Sequence, residues 1–201
     1  MNGVYFLGGS PGSGKTTFTD AVHENLGVAI YHTDTIFLTA DVTKNKQPNM
    51  FELREFSDPL DIWSRSPQAC VDFWLKYYEE AFWILMEDLR QGHADPRPLI
   101  AEGVCILPHF LEEINCRSNA YFLISCRTFL EEAISQKLKQ IPGSFDKNEK
   151  QSTYDNMLDV FSGISQIMLE GCERANFPYL IMQDSKTYSM LYPKILDQFS
   201  F

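Results

Sequence analysis

The residues from Gly9 to Thr16 read Gly-Ser-Pro-Gly-Ser-Gly-Lys-Thr and match the pattern G-x-x-x-x-G-K-[ST] in full. A short apolar run from Val4 to Leu7 precedes them, and a helical pattern from Thr17 to Leu26 follows. The pattern needs this order of strand, glycine-rich turn and helix, because inward-facing N–H groups and the helix dipole together bind phosphate. The sequence therefore predicts a loop that binds a nucleoside triphosphate.

Each position of the loop has an expected role. Lys15 is expected to reach the β- and γ-phosphates and to stabilise their charge during catalysis, and the Thr16 hydroxyl is expected to ligate Mg²⁺. ATP and Mg²⁺ are therefore the predicted cofactors. The predicted cofactor-binding residues are Gly9, Ser10, Pro11, Gly12, Ser13, Gly14, Lys15, Thr16 and Thr17.

Composition narrows the class of protein. A chain of 201 residues with 44% hydrophobic residues fits one α/β domain over residues 1–201. The formal net charge of -10 argues against nucleic acid or an anionic membrane as the main partner, since both need a basic face. No run approaches the length of a membrane span, and no basic segment opens the chain as in a signal peptide. Five widely spaced cysteines indicate reduced thiols, so a cytoplasmic location is predicted.

Strand-like and helical patterns alternate along the chain, which is typical of a mostly parallel sheet with helices on both faces. Between the second and third strands, residues 39–97 are predicted to form a helical, substrate-binding insertion. It contains a polar stretch from Thr39 to Asp61 and a long helix that begins at Ser66-Pro67. Residues 127–176 are predicted to form a lid and helical region. The predicted strands are 4–7, 28–32, 98–101, 120–124 and 178–182.

Three charged residues follow predicted strands, where the carboxyl ends of parallel strands meet at one crevice. Asp34 follows the second strand and could accept the proton of an acceptor hydroxyl or orient it; the alternative is a helix cap. Glu102 ends the apolar third strand and could support Mg²⁺ or bind substrate; the alternative is a structural ion pair. Arg127 follows the fourth strand and could clamp a phosphate; the alternative is a surface arginine.

Aromatic residues cluster near the start of the long helix and predict an acceptor site there. Trp63, Arg65, Trp74, Tyr77 and Tyr78 would form an aromatic wall with one arginine, which suits a small organic acceptor, phosphorylated or otherwise anionic. The alternative for Trp74 and Tyr78 is a place in the core, since both match the apolar stripe of the helix. The histidines show no metal-ligand spacing. The acidic pairs, among them Glu79-Glu80, are expected to be solvated helix faces.

These residues resemble the P-loop small-molecule kinases, which include nucleoside monophosphate kinases, shikimate kinase and the chloramphenicol phosphotransferase and zeta toxin group. The resemblance is carried by Gly8 to Thr17, by Asp34, and by Ala101-Glu102-Gly103-Val104, which is similar to uridine-kinase-like and 2-phosphoglycerate-kinase-like members. It implies a three-layer fold with a five-stranded sheet in the order 2-3-1-4-5.

The resemblance also implies arginines in the lid after the fourth strand, facing the transferred phosphoryl group. Here that segment carries only lysines. Lys137 or Lys139 could replace the usual arginine, although a lysine lacks the planar fork of a guanidinium. A cation from elsewhere in the chain is the other option, and the candidates are Arg54, Arg65 and Arg174.

The leading hypothesis is an ATP-dependent phosphotransferase that moves the γ-phosphate to a hydroxyl or phosphate of a small molecule. Its catalytic residues are Lys15, Asp34, Glu102 and Arg127, and its substrate-binding residues are Asp34, Arg65 and Glu102. The alternative is an ATP-binding regulatory module with little or no catalysis. A GTPase is disfavoured because the guanine-reading sequence Asn-Lys-x-Asp is missing. The expected partner is a small-molecule acceptor, with homodimerisation left open.

Overall fold

A computed structural model describes residues 3–56, 61–92, 97–140, 151–184 and 187–199, with residues 92, 137–140 and 188–192 described by backbone alone. Within these ranges the strands form one sheet in the order β2-β3-β1-β4-β5, and every neighbouring pair is parallel. The predicted strand order is confirmed. The strands are β1 Val4–Gly9, β2 Ala29–His32, β3 Leu99–Gly103, β4 Ala120–Ser125 and β5 Tyr179–Met182.

Helices cover both faces of the sheet and make it the middle of three layers. Side chains alternate along β1, so Phe6 packs into the core that contains α4 and α7, and Leu7 packs into the core that contains α1 and α8. Both residues are fully buried, as expected for a central parallel strand. The helices are α1 Lys15–Leu26, α2 Ile36–Thr39, α3 Pro48–Glu55, α4 Pro67–Gly92, α5 Pro108–Glu113, α6 Arg127–Gln140, α7 Gln151–Ala175 and α8 Thr187–Phe199.

The insertion between β2 and β3 is built mainly of helix. Within the predicted polar stretch lies the two-turn helix α3, and a 3₁₀ turn at Asp61–Ser64 leads towards α4. The predicted long helix is confirmed as α4, which begins at Pro67. The two helices α3 and α4 pack against each other, so the insertion is anchored on the sheet through α4.

Glu80 of α4 fixes the start of α3. Its carboxylate accepts hydrogen bonds from the backbone N–H of Asn49 at 3.0 Å and of Met50 at 2.8 Å. It also accepts one from Asn49 Nδ2 at 2.6 Å. These are N–H groups at the N-terminus of a helix, which otherwise lack partners. The expectation that Glu80 belongs to a solvated face is therefore wrong, whereas Glu79 beside it is exposed.

No helix in the described ranges is both long enough and apolar enough to cross a membrane.

Candidate active site

The loop from Gly9 to Lys15 lies between the end of β1 and the start of α1, in the centre of the sheet. Gly14 directly precedes α1 with a φ of 83°, a left-handed conformation that favours glycine. Gly9 also has a positive φ, 151°, and a Cβ there would collide with the backbone oxygen of Leu123 in β4. Glycine at these two positions lets the loop curl tightly against the neighbouring strand.

Lys15 lies inside this loop. Its side chain is only 6% exposed, and Nζ donates hydrogen bonds to the carbonyl oxygens of Gly9 and Ser10, each at 3.0 Å. A third contact joins Nζ to the Ser13 hydroxyl oxygen at 3.4 Å. The ammonium group is thereby held at the loop, where the phosphates are predicted to bind.

Glu102 at the end of β3 meets two partners from different elements. Its Oε1 accepts a hydrogen bond from the Thr16 hydroxyl at 3.0 Å and lies 2.7 Å from His32 Nδ1. The second contact follows from the register of the sheet, in which His32 of β2 is paired with Glu102 of β3. A carboxylate that is 3% exposed needs such donors, because burial without them is costly.

The corner formed by Thr16 and Glu102 fits the predicted Mg²⁺. Magnesium prefers hard oxygen ligands and keeps several waters, so one hydroxyl ligand and one nearby carboxylate suit it. The two oxygens lie 3.0 Å apart at the edge of the phosphate loop. Thr16 would bind the ion directly, and Glu102 would bind it through water.

Asp34 lies in the 3₁₀ turn Thr33–Thr35 that follows β2. The turn sits tightly on β3, because a Cβ at Gly103 would overlap the Thr33 hydroxyl. Asp34 lines the same cavity as Lys15, Thr16 and Glu102. The structure thus places four predicted site residues in the lining of one cavity: Lys15, Thr16, Asp34 and Glu102.

One cavity of about 840 Å³ runs from the phosphate loop to a set of aromatic side chains. We call this set the aromatic wall. Its rings form a continuous chain, with centroid separations from 5.2 Å for Trp63–Phe161 to 6.5 Å for Phe37–Tyr77. The aromatic wall consists of Phe37, Trp63, Trp74, Tyr77, Tyr78 and Phe161.

The two tyrosines of the wall keep their protons. Burial raises the pKa of Tyr77 and of Tyr78 well above the ordinary value for tyrosine, and the charge of Asp34 raises both pKa values further. Tyr78 is 3% exposed and still borders the cavity. It therefore has both predicted places, in the core and in the acceptor wall.

The predicted arginines lie outside this cavity lining. Arg127 donates to Asp159 of α7 at 2.7 Å, and Arg65 pairs with Glu52 of α3. The Arg65 guanidinium also lies over the ring of Phe73, 5.2 Å from its centroid. The catalytic role of Arg127 and the substrate-binding role of Arg65 stay predictions, and neither side chain contacts the described phosphate site.

The other lid candidates are placed as follows. Arg54 donates to the carbonyl oxygens of Phe37 and Ala40 and lies over the Phe37 ring. Arg174 lies near the C-terminus of α7, and its charge lowers the pKa of His109 after the larger effect of burial. The side chains of Lys137 and Lys139 are outside the described residues. Among the described side chains that line the cavity, Lys15 is the only cation.

Sequence reasoning missed His32, and it also missed Phe37 and Phe161 of the aromatic wall. Histidine spacing along the chain gives no sign of His32, because its partner Glu102 is a carboxylate seventy residues away. A usable signal exists in the strand order: with β2 beside β3, the last residue of one strand lies next to the end of the other.

Comparison with known proteins agrees with this geometry. Residues 3–116, more than half of the chain, match the model of a family described as Zeta toxin. No curated protein sequence matches the chain. Among solved structures, a deoxyadenosine kinase from M. mycoides with bound dATP is 14% identical, with 96% of this chain and 99% of that chain covered and a TM-score of 0.50.

Two further solved structures are similar with lower scores. A gluconokinase from Sinorhizobium meliloti 1021 is 13% identical over 98% of this chain and 90% of its own, with a TM-score of 0.49. A shikimate kinase from Bacteroides thetaiotaomicron is 14% identical over 98% of each chain, with a TM-score of 0.45. The likeness to the deoxyadenosine kinase and the strand order β2-β3-β1-β4-β5 together show a P-loop kinase-like fold.

Proposed function

Because the chain belongs to the zeta toxin family, we propose that it is a kinase that transfers the γ-phosphate of MgATP to a hydroxyl group of a small molecule. The observation that carries this proposal is the single cavity of about 840 Å³. The phosphate loop lies at one end of it, the aromatic wall lies at the other, and Asp34 and Glu102 border it. A phosphoryl donor and an acceptor can therefore occupy the same cavity.

Phosphoryl transfer needs positioning and charge neutralisation more than covalent chemistry. The N–H groups of the loop and the start of α1 bind the phosphates, and Lys15 stabilises the charge on the transferred group. Thr16 and Glu102 would hold Mg²⁺, and the bound ion would neutralise phosphate charge. Asp34 receives the proton of the acceptor hydroxyl as the oxygen attacks, or orients that hydroxyl in line with the leaving group.

The aromatic wall holds the acceptor and excludes water. Rings from α2, α4, α7 and the 3₁₀ turn at Asp61–Ser64 line the cavity on the side away from the loop. Water that reached the γ-phosphate would compete with the acceptor, so an apolar wall favours transfer over hydrolysis.

A second candidate function is an ATP-binding regulatory module, with homodimerisation as one form of output. The observation that favours it is the charge of the cavity, where Lys15 is the only described lining cation. Kinases normally place a second cation on the transferred group. Such a module would bind MgATP tightly and transfer no phosphate.

The proposal includes a cytoplasmic location. All five cysteines are free thiols, three of them buried, as the sequence predicts for a protein of a reducing compartment.

A labelling experiment separates the two functions. The chain is incubated with γ-labelled ATP, Mg²⁺ and a pooled metabolite extract, beside Lys15→Ala and Asp34→Asn variants. We expect label in a new small molecule with the wild type only. Lys15→Ala is expected to lose nucleotide binding, since the loop ammonium is removed, whereas Asp34→Asn is expected to bind ATP normally and to lose transfer.

The outcomes are distinct. Near-normal transfer by Asp34→Asn would remove Asp34 from the mechanism. If the wild type transfers no label while MgATP raises its melting temperature, and Lys15→Ala shows no such rise, the regulatory module is the correct function.

A further inference from the structure

The end of the cavity away from the phosphate loop is apolar and aromatic. Besides the aromatic wall, the side chains of Leu53 from α3, Val104 after β3 and Met157 from α7 border it. Rings and aliphatic side chains of this kind bind flat or branched hydrocarbon bodies, because burying apolar surface contributes roughly 25 cal/mol per Å².

Among the described lining residues, the charged groups lie near the transfer point. Asp34 and Glu102 are carboxylates, and Lys15 is occupied with the phosphates of the nucleotide when ATP is bound. A carboxylate or phosphate on the acceptor would therefore meet two negative groups and no free described cation.

The nearby arginines already have interaction partners within the protein. Arg65 pairs with Glu52, and Arg54 donates to two backbone carbonyls and packs on the outer ring of the wall, Phe37. Freeing either guanidinium for a ligand would leave its present partners unpaired. The sequence-based expectation of a phosphorylated or anionic acceptor depended on Arg65, and the cavity does not contain that side chain.

We propose that the acceptor is an uncharged alcohol with a flat apolar body, whose ring packs on Trp74 and Tyr77 and whose hydroxyl lies at Asp34. This inference rests on the proposed kinase function. The cavity selects such a compound in two ways: the wall binds the apolar body, and the two carboxylates repel an anionic competitor.

Model acceptors that differ in one feature test the proposal. Transfer from γ-labelled MgATP is measured for 2-phenylethanol and 2-(indol-3-yl)ethanol, for the carboxylate analogue 3-phenyllactate, for glucose, and for uridine 5′-monophosphate. Binding of the same compounds is measured by calorimetry with a non-hydrolysable ATP analogue present. We expect the two aryl alcohols to bind and to be phosphorylated, with kcat/KM at least tenfold above 3-phenyllactate and above the two polar compounds.

Variants of the aromatic wall provide a second test of the proposal. Trp74→Leu is expected to raise the KM for aryl alcohols about tenfold with unchanged MgATP affinity, because it removes ring contact at the acceptor end only. Trp83→Leu, on the same helix and outside the cavity lining, is the matched control and is expected to leave this KM unchanged.

A variant that gains activity towards an anionic acceptor provides a test that poor folding cannot explain. Leu53→Arg places a cation at the cavity and is expected to improve the use of 3-phenyllactate relative to 2-phenylethanol about tenfold. Leu53→Gln has similar bulk without charge and is expected to leave that ratio unchanged.

The results separate the inference from the function on which it rests. Transfer to uridine 5′-monophosphate, glucose or 3-phenyllactate in preference to the aryl alcohols would overturn the inference and leave the kinase function in place. Binding of aryl alcohols without transfer to any compound would support the site and overturn the kinase function. Absence of both binding and transfer for the aryl alcohols would overturn the inference directly.

Discussion

A single carboxylate oxygen joins three elements of the candidate site. Glu102 Oε1 at the end of β3 accepts a hydrogen bond from the Thr16 hydroxyl of α1 and contacts His32 Nδ1 of β2. His32 also lies 3.8 Å from Asp20 of α1 through its other ring nitrogen. The imidazole therefore holds the orientation of the carboxylate that is proposed to support Mg²⁺, and it is a positioning residue for that carboxylate.

Removing this imidazole should weaken the metal-dependent part of nucleotide binding. In His32→Ala, Glu102 loses one of its two donors, and loss of a second-layer partner typically costs ten- to a hundredfold in metal affinity. We expect the ratio of ATP affinities with and without Mg²⁺, measured by calorimetry, to fall about tenfold, with recovery in His32→Gln. His109→Ala, at a histidine outside the cavity lining, serves as the control. An unchanged ratio in His32→Ala would show that the pair is only structural.

At the scale of elements, the position of Asp34 depends on how closely the turn after β2 approaches β3. The side-chain-free Gly103 makes room for the Thr33 hydroxyl, and Thr33 is buried. The two residues of the Glu102-Gly103 pair therefore do different things: Glu102 contributes the carboxylate, and Gly103 lets the turn that carries Asp34 lie against the strand.

Adding one methyl group at this contact should displace the turn. Gly103→Ala is expected to lower the free energy of unfolding by about 1–3 kcal/mol and to reduce phosphate transfer, because Asp34 moves with Thr33. Urea denaturation and the labelling assay measure the two effects. Gly163→Ala in α7, where a Cβ makes an ordinary contact with Val71, should instead stabilise by about 0.5–1 kcal/mol. Equal stability of the two variants would refute this view of the turn.

The bond between α4 and the start of α3 permits a second test at this scale. Glu80→Ala removes the acceptor of three hydrogen bonds at the N-terminus of α3, so we expect a loss of about 1–2 kcal/mol in unfolding free energy. The KM of the acceptor should rise, since α3 carries Leu53, while MgATP affinity stays the same. Glu79→Ala is the matched control on the exposed side of the same turn. A variant whose MgATP affinity fell as much as its acceptor affinity would contradict this assignment.

The sequence predicted those parts of the site that depend on local pattern and on sheet geometry. The loop from Gly9 to Thr16 is defined by its own residues. Asp34 and Glu102 each follow a strand, and parallel strands in this fold end at one edge, so their convergence could be expected before the structure was known. Trp63, Trp74, Tyr77 and Tyr78, which cluster in the sequence near the start of α4, also line the cavity.

Contacts that depend on tertiary partners could not be predicted in the same way. The predicted strand order places β2 beside β3, but the pair of His32 and Glu102 also requires the register between these strands, which hydrophobic patterns do not encode. Whether an arginine reaches the cavity depends on competing carboxylates elsewhere in the chain. Arg65 pairs with Glu52 and Arg127 pairs with Asp159, and no sequence motif marks either acidic residue.

At the scale of the whole molecule, three thiols report on the integrity of the core. Cys70, Cys105 and Cys172 are fully or almost fully buried in the same hydrophobic core, whereas Cys116 and Cys126 are partly exposed. Burial raises the pKa of Cys105 and of Cys172 to about 12. At pH 8 roughly one such thiol in ten thousand is a thiolate, the form that reacts.

We therefore expect a thiol reagent at pH 8 to modify two cysteines of the native chain quickly and the other three only on unfolding. Titration with the reagent across a urea gradient should show the three appear together, at the midpoint measured by fluorescence, because one cooperative core shields them. MgATP should move that midpoint to higher urea in the wild type. A buried thiol that reacted well below the midpoint would show that the core opens in parts.

The aromatic wall comes mostly from one uninterrupted stretch of chain, since Phe37, Trp63, Trp74, Tyr77 and Tyr78 all lie between β2 and β3. The phosphate loop lies on the other side of β2 in the sequence, and the sheet beneath it uses none of these residues for its strand pairing. Most of the proposed acceptor site is therefore carried by one segment of the chain that could be exchanged as a unit. For the proposed kinase, recombination in evolution or in the laboratory could replace that one stretch and change the acceptor, while the phosphate loop is inherited intact.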